Sequence, residues 1–101
     1  MPIKVVLQDN RGRIIDQVLD PNCLLQKIWP IEDGSFPLLQ YIDPYGNTIF
    51  NQVQMGQVLM ELEFLSSKTN EGDETLLVSK LRTLARRCRD NPHAHLRFVG
   101  D

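Results

Sequence analysis

The sequence predicts an α+β fold: two β-hairpins, an antiparallel helical hairpin and a C-terminal strand returning to the sheet. Three observations carry that expectation. Strand-like apolar runs flank turn-forming Asp, Asn, Gly and Pro residues in the first half of the chain. Two longer segments after residue 51 repeat apolar residues at helical spacing. The last residues alternate between small or apolar and polar side chains, the pattern of a half-buried strand.

The first hairpin joins Ile3–Gln8 to Arg13–Leu19 around Asp9-Asn10-Arg11-Gly12. Asp20-Pro21-Asn22 stops its second strand, because proline cannot donate to a ladder. Residues 23–37 are ambiguous. Cys23–Trp29 suits either a strand or a short helix, and Pro30, Gly34 and Pro37 interrupt any regular structure after it, so Ile31–Phe36 is expected to be a mobile loop. A second hairpin is expected between Leu38–Ile42 and Thr48–Phe50, around Asp43-Pro44-Tyr45-Gly46-Asn47. Gly46 or Asn47 should then take positive φ.

Asn51, with Gln54 three residues later, forms a capping-box pattern before a helix over about residues 52–67. At ~100° per residue, Met55, Val58, Leu59, Leu62 and Leu65 share one side. Val53, Met60 and Phe64 fall on nearly the opposite side, with Glu61 and Glu63 between them. A second helix over about residues 73–90 carries a single stripe of Leu77, Leu81, Leu84, Ala85 and Cys88, with Val78 at its border. Asp73 and Glu74 at its start and Arg86, Arg87 and Arg89 at its end each oppose the nearer dipole charge. Asn91-Pro92 ends it, and Ala94, Leu96 and Phe98 then point to one side of the last strand.

The 101 residues, 42% apolar and 24% charged, suit one globular domain over 1–101 and exclude a disordered chain. No apolar run exceeds three residues, against the ~20 of a membrane-spanning helix. Two cysteines are too few for a disulfide scaffold, and Met1-Pro2-Ile3 is no leader of basic then apolar residues, so a cytoplasmic setting with free thiols is expected. The net charge of −2 argues against a general nucleic-acid binder, yet residues 1–79 carry a net of −6 and residues 80–101 a net of +4.

Chemistry-bearing patterns are sparse. His93 and His95 share one strand face but make only half of a metal site, so no metal is expected. Cys88 lies between Arg87 and Arg89, which would favour a thiolate, but its helical position puts it on the apolar stripe. The carboxylates Asp9, Asp16, Asp20, Glu32, Asp33, Glu61 and Glu63 show no spacing that isolates one in an apolar pocket and are expected to be solvated. No phosphate loop, nucleophile elbow or HExxH motif occurs, and no cofactor is expected.

Two surfaces remain. Arg82, Arg86 and Arg89 follow i, i+4, i+7 spacing along one helix edge, suited to anions or RNA phosphates, or simply to a solvated helix end. Val53, Gly56, Met60 and Phe64 form a second apolar side on the first long helix. Either the second helix covers it or another molecule does.

From Leu38 onward the sequence resembles a small, uncharacterised bacterial domain family. The similarity lies in Ile42-Asp43-Pro44-Tyr45-Gly46-Asn47-Thr48-Ile49-Phe50-Asn51, Gln54 and Glu61-Leu62, then in Cys88-Arg89-Asp90-Asn91-Pro92-His93, Leu96, Phe98 and Gly100-Asp101. It implies no activity and no residue role. The function expected is that of a non-enzymatic protein-interaction domain, an adaptor or the immunity partner of a toxin, able to form a homodimer. The alternatives are a nucleic-acid or anion binder using the arginine edge, and a small enzyme.

Overall fold

The computed structural model describes residues 3–28, 36–43, 45–69 and 72–100. Strand β1 (Lys4–Asp9) and strand β2 (Ile14–Leu19) form the first hairpin. Gly12 sits at φ 81°, a conformation that costs other residues a steric penalty. Asp9 organises the same turn: its Oδ1 accepts the N–H groups of Arg11 and Arg13, each at 2.9 Å. Those two bonds, Arg13's the stronger, hold the Asp9 carboxyl below its ordinary range. A register shift beside Leu7 and Gln8 leaves Ile15 without an opposite number, a β-bulge.

Asp20 ends this strand and caps the next element. It is buried, and its carboxylate accepts the N–H groups of Leu24 and Leu25 at 2.9 and 2.8 Å, at the start of the short helix α1 (Leu24–Ile28). The ambiguous segment is therefore helical over these residues, and Leu25 enters the core. Of the expected mobile loop, Ile31–Ser35 lie outside the described residues, while Phe36 is fully buried.

The α+β class stands, and so does the returning C-terminal strand. A four-stranded antiparallel sheet has the order β2-β1-β4-β3, with β3 spanning Asn47–Asn51 and β4 spanning Ala94–Val99. The second antiparallel pair is built from other segments than expected. β3 pairs with β4, and Leu38–Ile42 is no strand: Leu39–Tyr41 is a 3-10 turn. The reason is where its main chain bonds. The N–H groups of Leu38 and Leu39 go to the carboxylate of Glu61, while those of Tyr41 and Ile42 go to Leu38 and Leu39.

The turn before β3 also differs. Among the described residues only Cys23 and Gly12 have positive φ, so neither Gly46 nor Asn47 does; Pro44 lies outside the described residues. Asp43 shapes this turn instead, its Oδ1 accepting Tyr45 N–H and its carbonyl accepting Gly46 N–H. Gly46 answers a need for room, since a Cβ there would meet Asp43 Oδ2 at 2.7 Å.

Helix α2 (Met55–Ser67) follows a single 3-10 turn over Gln52–Gln54, with the expected capping box: Asn51 accepts Gln54 N–H, and the Gln54 side chain accepts Asn51 N–H. Helix α3 (Gly72–Arg89) packs against it. Both lie on the side of the sheet lined by the rows Val18–Val5–Phe98–Thr48 and Asp16–Leu7–Leu96–Phe50. Phe50 and Phe98 meet edge to face at 5.8 Å between centroids. Leu77, Val78, Leu81, Leu84, Ala85 and Cys88 of α3 are all buried, as the stripe predicts. The other side of the sheet is mixed, with Ile49 and Leu19 exposed and His95 hydrogen-bonded to Gln8.

Candidate functional site

Two neighbours hold α2 in place and leave its outer side open. Met55, Val58, Leu62 and Leu65 are buried against the core. On one flank, Glu61 is only 1% exposed. Its Oε1 accepts Leu38 N–H at 3.0 Å and Leu39 N–H at 2.8 Å, and its Oε2 accepts Gln57 Nε2 at 3.0 Å. The expectation that Glu61 is solvated is thus overturned, because three protein N–H donors replace the water that its buried carboxylate gives up. That for Asp20 falls for the same reason, since α1's first N–H groups replace its water. Both carboxylates act on the main chain.

The stripe of Val53, Gly56, Met60 and Phe64 runs beside this flank. Val53 is 89% exposed, Met60 65% and Phe64 43%, so α3 does not cover it. Phe64 is the best anchored: its ring meets Phe36 edge to face at 5.4 Å, and Lys68 Nζ stands 4.8 Å from its centroid. Gly56 faces open space, with nothing within 4 Å of where its Cβ would stand, so it makes no close helix crossing inside the chain. Met is adaptable and polarizable, which suits an uncovered apolar side.

The arginine edge is only partly available. Arg89 Nε pairs with Asp90 at 3.2 Å, and Arg87 reaches Asp16 on β2. Arg82 and Arg86 have no ion-pair partner among the described residues, Arg82 half-buried and Arg86 exposed. Cys88 is fully buried, and burial pushes its thiol up to about 11, so it is protonated at neutral pH. Cys23 is half-buried at φ 54°. His93 is exposed, and among the described residues no group of three or more His, Cys, Asp or Glu is placed to hold a metal ion. No helix among the described residues is long and apolar enough to cross a membrane.

Comparison of the chain with protein families, with curated proteins and with solved structures finds no match.

Proposed function

We propose that this chain is a non-enzymatic protein-interaction domain that docks through the outer side of α2, with a second copy of the chain as occupant. The observation that carries this reading is the uncovered stripe of Val53, Met60 and Phe64 on a helix whose other sides are engaged. A two-fold pairing would be isologous, and the bare backbone at Gly56 would let two α2 helices approach closely. The free thiols Cys23 and Cys88 agree with a reducing, cytoplasmic setting.

Sedimentation tests it. The wild type is expected to sediment as a dimer, and Met60→Glu as a folded monomer, because the exposed Met60 supports no internal packing and an unpaired carboxylate disfavours burial in an interface. A monomeric wild type overturns the dimer. A second reading, anion or nucleic-acid binding, rests on Arg82 and Arg86, one turn apart and without ion-pair partners among the described residues. It predicts salt-sensitive binding of an oligonucleotide that Arg86→Ala weakens.

A further inference from the structure

A different surface has the features of a strand-docking site. Among the described residues β2 is an edge strand, paired only with β1. Between it and α3 lies a cleft of about 390 Å³ lined by Asp16, Val18, Leu19, Lys80, Thr83 and Leu84. A second hollow of about 180 Å³ shares Leu19 and Lys80 with it and runs on to Leu76 and Asp73. Together they make one trough that starts at the edge of β2 and continues past its end to Pro21, Asn22 and Leu24.

The edge is open in part. Gln17 N–H turns away from β1 and is bonded at 2.8 Å to the neighbouring Asp16 Oδ1, so that donor is taken while the Gln17 carbonyl stays on the outward side. By the alternation of antiparallel pairs, the main-chain polar groups of Leu19 point outward as well. Edge strands are ordinarily blunted by charged side chains. β2 instead exposes Ile14 (55%), Ile15 (38%) and Leu19 (60%), and its single charge, Asp16, is held by Arg87.

We propose that this trough binds an extended segment of another protein, which adds to the sheet as a strand beside β2 and carries an acidic residue next to an aliphatic one. Charge selects this occupant. Lys80 lines both hollows and has no ion-pair partner among the described residues. The nearby acids are committed: Asp16 to Arg87, and Asp20 to the main chain of α1. Asp73 stands at the far end, in the first turn of α3, where the helix dipole favours it. Side chains of an added strand alternate, so one that faces α3 level with Val18 meets Lys80 while its two neighbours lie beside Leu19 and Gln17. Edge-to-edge pairing of two β2 strands offers Lys80 only Asp16, which Arg87 already holds.

The site is independent of the α2 surface, and its test keeps the two apart. Random octapeptides displayed on phage are selected on the whole chain, and the most enriched one is synthesised and titrated into isotope-labelled protein by NMR. The expected peptide has Asp or Glu next to an aliphatic residue and shifts the amides of Gln17, Leu19, Lys80 and Thr83. Lys80→Glu should weaken it by about tenfold and reverse the preference toward a Lys-centred peptide. Leu19→Pro, which removes an outward N–H, should abolish binding. If Leu19→Pro does not fold, the charge reversal at the exposed Lys80 decides alone. No enriched peptide, equal binding to wild type and Lys80→Glu, shifts centred on Met60 and Phe64, or β2 shifts that depend on protein concentration without peptide would each overturn the proposal. Sedimentation of Met60→Glu reports on the dimer alone.

Discussion

The two long helices solve the same problem differently. α3 has one apolar stripe, and all six of its buried residues lie on it, with charges of the favourable sign at each end. α2 has apolar residues on two sides, and its second neighbour is not a helix but the segment around the 3-10 turn, joined to it through Glu61. Apolar period tells which residues avoid water on a helix with one neighbour. On a helix with two, the second contact can be polar, and the residues that look buried and those that are buried part company.

The comparison is sharpest at Leu81 of α3, which is fully buried. Leu81→Ala should cost about 2–5 kcal/mol in denaturant unfolding, by lost transfer energy and the cavity left behind. A loss of that size should raise amide exchange throughout the core.

Glu61 should behave as a local clamp. Glu61→Ala leaves two main-chain N–H groups of the 3-10 segment without their acceptor, at a cost of about 1–3 kcal/mol. Exchange should quicken first at Leu38 and Leu39, with α3 amides little changed. Equal loosening of α3 would show that Glu61 holds the core as a whole and not one segment. The smallest effect belongs to Met60, 65% exposed on the other side of the same helix. Met60→Ser should change unfolding stability by less than about 0.5 kcal/mol while weakening the dimer.

Much of the fold is legible because its signals are local. Asn51 and Gln54 satisfy each other within one turn, Gly12 meets a turn that needs positive φ, and Ala94, Leu96 and Phe98 alternate into the core. The segment from Leu38 to Ile42 is misleading for the opposite reason. Its apolar run suits a strand, yet the acceptor that decides its shape lies 23 residues on, in a helix. A faint sign of Glu61's burial exists: it sits at the border of the buried arc, one turn after Gln57, to which it is bonded. The members of the α2 stripe are likewise readable from period, but their exposure depends on where α3 lies. The trough beside β2 is invisible in sequence, because Leu19 and Lys80 become neighbours only after folding.

The strand order has a consequence for how the chain is made. β4 lies between β1 and β3, and among the described residues β3 has no other strand partner. During synthesis the first hairpin and both long helices leave the ribosome before the strand that joins them to β3. Until residues 94–99 emerge, Phe50 lacks Phe98 and the apolar side of α3 lacks Leu96 and Phe98 beneath it. Folding should therefore wait for β4 and close the sheet in one step once it is present.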